Sequence, residues 1–192
     1  MIGKIYLGLI LVFFILAFAV RNIKTYVSTK NSIRGKSLKL TVSIVTSTLI
    51  YVLILLRLTV LSGNWILELN FGIVDKLVYV GYVFVTLGFG IGVLALIVMK
   101  NSWRVGIKYD QKTDLVSSGI YRYSRNPYFL SYSILIFGYI LIFPSIILFG
   151  LLFLLAIVFH KMILEEEKYL ETVHGTKYLD YKKKVNRYIT FK

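Results

Sequence analysis

Uninterrupted apolar runs are the feature that most constrains the fold of this chain. A helix needs about 20 apolar residues to cross a hydrocarbon core of about 30 Å. Runs of about this length cover residues 5–20, 40–61 and 77–99, and the block 128–164 is long enough for two helices. Pro144 lies inside that block and predicts a turn, because proline breaks the helical hydrogen-bond ladder. The runs predict an all-α integral membrane protein with about five transmembrane helices, of which the fourth is short.

The composition supports one membrane domain over residues 1–192. Apolar residues make up 57% of the chain and the mean hydropathy is +0.75, which is too apolar for an ordinary soluble domain. Three transmembrane helices are expected in residues 1–99, and a loop, a helical hairpin (128–164) and a tail (165–192) in residues 100–192. The tail is predicted to form an amphipathic helix. Its apolar residues recur at roughly helical spacing: Leu170, Val173, Tyr178, Tyr181, Val185 and Tyr188.

The positive charge of the chain is concentrated in two segments. The formal net charge is +14, from 23 Lys and Arg against 9 Asp and Glu. Six basic residues and no acid lie in 21–39, and six against two acids in 100–127, whereas 62–75 has only the acids Glu68 and Asp75. Basic loops face the cytoplasm in membrane proteins, so the N-terminus is expected outside and the C-terminus inside. Such loops fit an anionic leaflet rather than a nucleic acid.

Several kinds of site are excluded or disfavoured by residue type. The chain has no cysteine, so a disulfide, a thiolate metal ligand and a cysteine nucleophile are all excluded. Its two histidines, His160 and His174, are too few for a zinc site of the His-rich kind, and no metal site is expected.

The first polar cluster, "SSGIYRYSRNPYFLSY", occupies residues 117–132. Its structural interpretation is an interfacial helix start, with Asn126 as N-cap and Pro127 in the first helical position. Its functional interpretation is an anion site. A helix N-terminus flanked by the guanidinium groups of Arg122 and Arg125 suits a carboxylate or phosphate.

The second cluster, "LEEEKYLETVHG", places three adjacent carboxylates directly after an apolar run. If the helix stops there, Glu165, Glu166 and Glu167 face the negative end of its dipole and require cations. Lys161 and Lys168 could satisfy part of that need in a purely structural ion-pair network. The alternative is a bound cationic or hydroxyl-rich ligand. We expect the two clusters to meet.

The two clusters together resemble the C-terminal half of the isoprenylcysteine carboxyl methyltransferase and phospholipid methyltransferase superfamily. The resemblance covers roughly residues 100–190, and "NSWRVGI" at 101–107 is similar to the loop before the motif in bacterial members. The first half of the chain is similar only in being helical and apolar. The matching residues keep the family spacing: Gly119, Tyr121, Arg125, Pro127, Glu166, Glu167, Leu170, Gly175, Tyr178, Tyr181, Val185 and Arg187.

The resemblance implies a membrane-embedded methyltransferase that uses S-adenosyl-L-methionine and accepts a lipidic or prenylated acceptor from the bilayer. The implied cofactor-binding residues are Trp103, Tyr121, Arg125, Asn126, Pro127, Tyr128, Glu166 and Glu167. Arg122 and Arg187 are the implied catalytic residues, which would orient an anionic group of the acceptor. Replacing Glu167 by glutamine or Arg125 by alanine is expected to weaken cofactor binding while leaving the fold intact.

The chain departs from the family pattern at two positions. Asn126 replaces the usual histidine and His174 replaces an aromatic residue, so a role that needs an imidazole at position 126 is in doubt. A carboxylate acceptor such as isoprenylcysteine needs no general base, whereas an amine acceptor must first lose a proton. The carboxylate is therefore favoured, with phospholipid N-methylation as the alternative. "GFG" at Gly88–Gly90 is either a counterpart of a cofactor-binding Gly-x-Gly or a close helix contact.

Three other kinds of membrane protein predict different sequence features. A membrane sterol reductase would need more helices than this length allows, and a transporter would need more ionisable residues within its spans. A non-catalytic lipid-binding protein would use the basic loops alone. The composition suits a prokaryotic cytoplasmic membrane. The acceptor's identity, the methylated atom (O, N or S) and the oligomeric state are left open.

Overall fold

The computed structural model describes residues 2–59, 74–109 and 111–191, which fold almost entirely into helices. Its helices are α1 (Ile2–Thr29), α2 (Leu38–Thr59), α3 (Val74–Met99), α4 (Pro127–Ile142), α5 (Ile146–His174) and α6 (Thr176–Lys184). Two short 3-10 turns lie between α3 and α4, at Lys100–Ser102 and Gly119–Arg122. The described residues form no strand, so the all-α membrane fold is confirmed.

Four helices of the described residues are long and apolar enough to cross a membrane: α1, α2, α3 and α5. The fourth helix in the chain, α4, is apolar but only 16 residues long, as the sequence predicts. Pro144 lies between α4 and α5, at the position where the sequence predicts a turn. Glu68, which entered the prediction of orientation, lies outside the described residues, as does the side chain of Asp75.

The boundary expected between the hairpin (128–164) and the tail (165–192) does not coincide with a helix end. Helix α5 runs on through Glu165–Glu167 to His174 as one element of 29 residues. The segment holds good helix formers and meets no breaker before Gly175, which has a φ of 54°. Residues 146–164 span about 28 Å at 1.5 Å per residue, so residues 165–174 are a polar extension beyond the apolar span. The carboxylates therefore lie on a continuing helix rather than at its end.

Helices α3 and α4 pack with their backbones almost in contact. A Cβ at Gly88 would lie 2.6 Å from the backbone N of Leu135, and one at Gly138 would lie 2.7 Å from the N of Val85. At Gly90 a Cβ would meet no atom within 4 Å. Gly88 therefore serves helix packing, as small residues do in membranes, and Gly90 lies in open space.

The loops at one end of the bundle fold over that end and connect to one another. We call this the site end; it includes the end of α1, the start of α2 and the polar extension of α5. Gly35 N donates to Val105 O at 2.9 Å, and Trp103 Nε1 donates to Asn22 Oδ1 at 2.7 Å. Lys39 pairs with Glu165. These contacts bring the basic loop before α2 and the loop before α4 to the carboxylates of α5.

Candidate active site

An ion-pair triad joins the two polar clusters at the site end. Arg125 Nη2 lies 2.7 Å from Glu167 Oε1. Arg187 adds two contacts to the same carboxylate, Nε to Oε1 at 2.9 Å and Nη2 to Oε2 at 2.8 Å. The side chains of Arg125 and Glu167 are 7% and 6% exposed. The expectation that the clusters meet is confirmed, and Glu167 has two cationic partners inside the protein.

A C-terminal strap, residues 186–191, holds the arginines of the triad in place. Arg125 N donates to Asn186 O at 3.1 Å, and Thr190 N donates to Tyr123 O at 2.8 Å. Arg125 Nη1 also donates to the backbone O atoms of Lys182 and Val185, at 3.1 and 2.9 Å. The guanidinium is thus fixed by carbonyls as well as by Glu167. Its Nε is buried and has no hydrogen-bond partner among the described residues.

Asn126 stands at the N-cap position of α4, with Pro127 in the first turn, as predicted from the sequence. Its side chain does not cap the helix. Instead, Nδ2 donates to Arg187 O at 3.2 Å, because the C-terminal strap passes beside the start of α4. Asn126 therefore ties the strap to the helix that carries the first cluster.

Glu166 differs from its neighbour because no described residue forms an ion pair or a hydrogen bond with its carboxyl group. It lies in the polar extension of α5, outside the apolar span. Burial, together with the negative charge of Glu167, raises the pKa of Glu166 to about 7. Burial also opposes ionisation of Glu167, but the hydrogen bonds from Arg187 and Arg125 outweigh it and hold that pKa below its usual range. One carboxylate is neutralised, and the other remains available for a proton or a cation.

The raised pKa of Glu166 predicts a pH-dependent difference between the protein and its Glu166→Gln variant. The folded state holds a proton on Glu166 up to about pH 7, whereas the unfolded chain releases it near pH 4.5. Stability contributed by this group is therefore lost as pH rises through that window. We expect equal melting temperatures in detergent near pH 4.5 and a more stable variant at pH 8. A difference that does not change with pH would contradict the assignment.

Two cavities meet at this cluster. The large cavity has a volume of about 840 Å³ and runs along α2 between α1, α4 and α5. The small cavity, about 70 Å³, lies under the loop that precedes α4. Tyr121, Arg125, Asn126 and Glu166 line both. These four predicted site residues, together with Met99, Arg104, Gly106 and Ile107, form a wall that the two cavities share, and the large cavity beyond it is mostly apolar.

The remaining predicted site residues divide by location. Glu167 lines the small cavity, and Trp103 and Tyr128 line the large one, with their ring centroids 5.0 Å apart. Three residues line neither cavity: Arg122, Pro127 and Arg187. Arg122 is exposed on the surface, Pro127 is buried in the start of α4, and Arg187 reaches the site through Glu167. The structure thus brings together seven of the ten predicted residues along the cavity walls.

Sequence reasoning missed the contribution of the loop before α4 to the small cavity. Arg104, Gln111 and Asp114 line that cavity. Tyr169 on α5 holds the loop, donating to Lys108 O at 3.1 Å and to Gln111 O at 2.9 Å. The only sequence signal was the similarity of residues 101–107 to the family loop. In the described part of the chain, no group of three His, Cys, Asp or Glu side chains is placed to hold a metal ion.

The chain matches one family of known proteins. The family model for phospholipid methyltransferases matches residues 77–177, which include most of α3, all of α4 and α5, and the loop between α3 and α4. The match begins earlier than the resemblance read from the motifs and ends before Arg187. No curated protein matches the chain. Since the matched residues make up more than half of the 192-residue chain, the protein belongs to the phospholipid methyltransferase family, whose members in general depend on S-adenosylmethionine.

Proposed function

We propose that this protein transfers a methyl group from S-adenosylmethionine to a lipid acceptor at the wall shared by the two cavities. The observation that carries the proposal is the shared wall itself. Tyr121, Arg125, Asn126 and Glu166 face a small cavity of mixed polarity and a large chamber bordered by transmembrane helices. The methionine part of the donor would lie on the small-cavity side, its adenosine part would extend into the large cavity, and an apolar acceptor would enter the large cavity from the bilayer.

The residues of the wall fit the polar groups of S-adenosylmethionine. The buried Nε of Arg125 is a donor without a partner among the described residues, and it suits the carboxylate of the methionine part. One oxygen of the unpaired Glu166 carboxyl group suits a ribose hydroxyl, which leaves the other oxygen to face the acceptor. Trp103 and Tyr128, packed edge to face, offer an aromatic surface for the adenine. When bound, the cofactor supplies a methyl group on a sulfonium, which is an excellent leaving group.

The protein contributes to such a transfer by aligning the two reactants and by excluding water from the site. Alignment of a nucleophile with the methyl carbon is worth several kcal/mol, on the order of 7 or more in well-oriented systems. Glu167 is fixed by two arginines and in turn orients the adjacent turn of α5. The aromatic residues of the large cavity exclude water from the acceptor side. No further catalytic group is required for an acceptor that is already ionised.

We propose an amine-bearing phospholipid as the acceptor that the site supports best. Glu166 faces the large cavity with a pKa of about 7, which suits a general base that removes a proton from an ammonium group. Glu165 lines the same cavity but pairs with Lys39, so Glu166 is the carboxyl group that an acceptor would meet there. The unpaired carboxyl group of Glu166 reverses the preference for a carboxylate acceptor that the absence of an imidazole at Asn126 suggested.

A carboxylate acceptor such as isoprenylcysteine is the second candidate, and a specific observation favours it. Lys36 and Arg104 also line the large cavity and could hold an anionic group. Assay of purified protein with labelled methyl donor against both lipid classes separates the candidates. A methyl label that mild base does not release from an amine lipid supports the first candidate. A label that base releases as methanol from a prenylcysteine methyl ester supports the second.

We further propose that the site end faces the cytoplasm of a prokaryotic cell. The basic segments 21–39 and 100–127 both border this end, and loops rich in Lys and Arg are retained on the cytoplasmic side. The same loops would contact the anionic headgroups of that leaflet.

Calorimetric binding of S-adenosylhomocysteine to the detergent-purified protein tests the cofactor assignment. We expect micromolar affinity, and about tenfold weaker binding in Glu166→Gln, because one charge-assisted hydrogen bond is lost. Glu171→Gln is the matched control, since Glu171 pairs with Lys182 and lines neither cavity. Absence of binding in folded protein would contradict the proposed function and favour a non-catalytic lipid-binding protein.

A further inference from the structure

A second polar feature of the large cavity lies deeper in the bundle, away from the carboxylates. Ser47 and Tyr51 on α2 and Tyr132 on α4 line this part of the cavity. Tyr132 is 3% exposed, and its ring centroid lies 5.7 Å from that of Tyr51. We call these three residues the hydroxyl cluster. It lies among apolar side chains, where hydroxyl groups are costly unless they are hydrogen-bonded.

The hydrogen bonds of the hydroxyl cluster are incomplete. Ser43, one turn earlier on α2, donates to Leu40 O at 2.8 Å, as serine commonly does in membrane helices. Ser47 and Tyr51 are the hydroxyl neighbours of Tyr132. Nevertheless, Tyr132 Oη is buried without a hydrogen bond of ordinary length and angle among the described residues. Tyr132 therefore keeps one unsatisfied hydroxyl, beside the partly exposed side chains of Ser47 and Tyr51, at the wall of the cavity that the three residues line.

The distance of the hydroxyl cluster from the shared wall restricts what can bind there. Tyr132 follows Asn126 by six residues on α4, which is about 9 Å along the helix axis. Phe129, Phe159 and Met162 line the cavity together with these residues. A ligand that fills the chamber therefore meets polar groups at the wall and again about 9 Å deeper.

We propose that the hydroxyl cluster is a subsite for a carbonyl oxygen in the linkage between the acceptor's head group and its tails. This inference rests on the proposed function, because it places the acceptor in the large cavity. A carbonyl has two lone pairs and no donor, so it accepts from Tyr132 and a second hydroxyl at once. A purely hydrocarbon segment would leave these donors unsatisfied.

The proposed subsite distinguishes between acceptor classes. In an ester-linked glycerolipid, the head-group nitrogen and the ester carbonyls are separated by on the order of 10 Å, estimated from bond lengths of about 1.5 Å. This separation matches the distance from the shared wall to the hydroxyl cluster. A prenyl chain beyond its thioether carries no oxygen at that depth. The cluster therefore selects ester-linked lipids over prenyl thioethers and over ether-linked lipids.

The test compares the diacyl and dialkyl ether forms of phosphatidylethanolamine with equal chain lengths, which differ only in the carbonyl oxygens. Each is titrated into detergent-solubilised protein, and half-maximal thermal stabilisation gives its apparent affinity. We expect the diacyl form to bind about tenfold more tightly, equivalent to one hydrogen bond gained. In Tyr132→Phe and Ser47→Ala the ratio should fall to within about twofold.

Tyr139→Phe is the matched control, since it removes a hydroxyl from the same helix outside the cavity; Tyr139 Oη donates to Leu7 O at 2.6 Å. It should lower stability and leave the tenfold ratio intact. Equal affinities of the two lipids for the unmodified protein, or no stabilisation by either, would overturn the subsite. So would a ratio that persists in Tyr132→Phe. Binding of S-adenosylhomocysteine, measured in parallel, tests the proposed function separately.

Discussion

Replacing Glu167 by glutamine is expected to lower the free energy of unfolding by about 3–5 kcal/mol, the cost of removing one partner from a buried ion pair. The variant leaves Arg125, which is 7% exposed, beside a neutral amide, and it also leaves Arg187 without its anion. Thermal and denaturant unfolding of the purified protein in detergent measure the effect. The sequence alone predicted that this replacement weakens cofactor binding and leaves the fold intact. The structure predicts that it also destabilises the fold.

The control for this experiment is again Glu171→Gln, which removes a carboxylate from the next turn of the same helix. Glu171 pairs with Lys182, but both side chains are more than a third exposed. An exposed ion pair contributes at most about 1 kcal/mol. Similar losses of stability in the two variants would mean that the triad does not hold the C-terminal strap to the bundle.

The second large effect is expected at the contact between α3 and α4. Gly88→Ala places a methyl group 2.6 Å from the backbone N of Leu135, so the helices must move apart. Overpacking of this kind costs about 1–3 kcal/mol, occasionally more. Gly90→Ala, two residues further along α3, meets no atom within 4 Å. It should stabilise the helix by about 0.5–1 kcal/mol.

Unfolding of both variants, with S-adenosylhomocysteine binding measured alongside, separates helix packing from a cofactor role for the two glycines. Packing requires a large loss of stability in Gly88→Ala and normal ligand affinity in Gly90→Ala. Loss of ligand binding in Gly90→Ala without loss of stability would instead support the Gly-x-Gly hypothesis.

The transmembrane helices could be predicted because hydropathy reports burial in lipid directly. The same signal misplaced the end of α5. The change from apolar to charged residues at Glu165 marks the end of the apolar span, but it does not end the helix, because backbone hydrogen bonding continues until Gly175. The end of α1 at Thr29 was missed for the same reason, since the polar residues after Val20 remain helical.

The contact between Arg125 and the glutamates could also be predicted, because the two motifs carry opposite charges and lie at the same end of the bundle. The sequence could not predict which glutamate pairs with which arginine within the site. Which of three adjacent glutamates is neutralised depends on the path of the C-terminal strap, which directs Arg187 to Glu167. Because Arg125 and Arg187 both bind Glu167, Glu166 has no ion-pair partner among the described residues. The spacing of the three glutamates in the sequence does not distinguish Glu166 from its neighbours. The individual roles of the site residues stay predictions.

The unbroken course of α5 has a consequence for the energetics of turnover. Because one rigid helix carries both the apolar span and Glu166, the carboxylate is held at a fixed height, about 30 Å along the axis from Ile146. That height corresponds to the level of lipid head groups. A lipid bound at the proposed site would therefore keep its tails in the hydrocarbon, and it would avoid the extraction cost of about 0.8 kcal/mol for every methylene exposed to water.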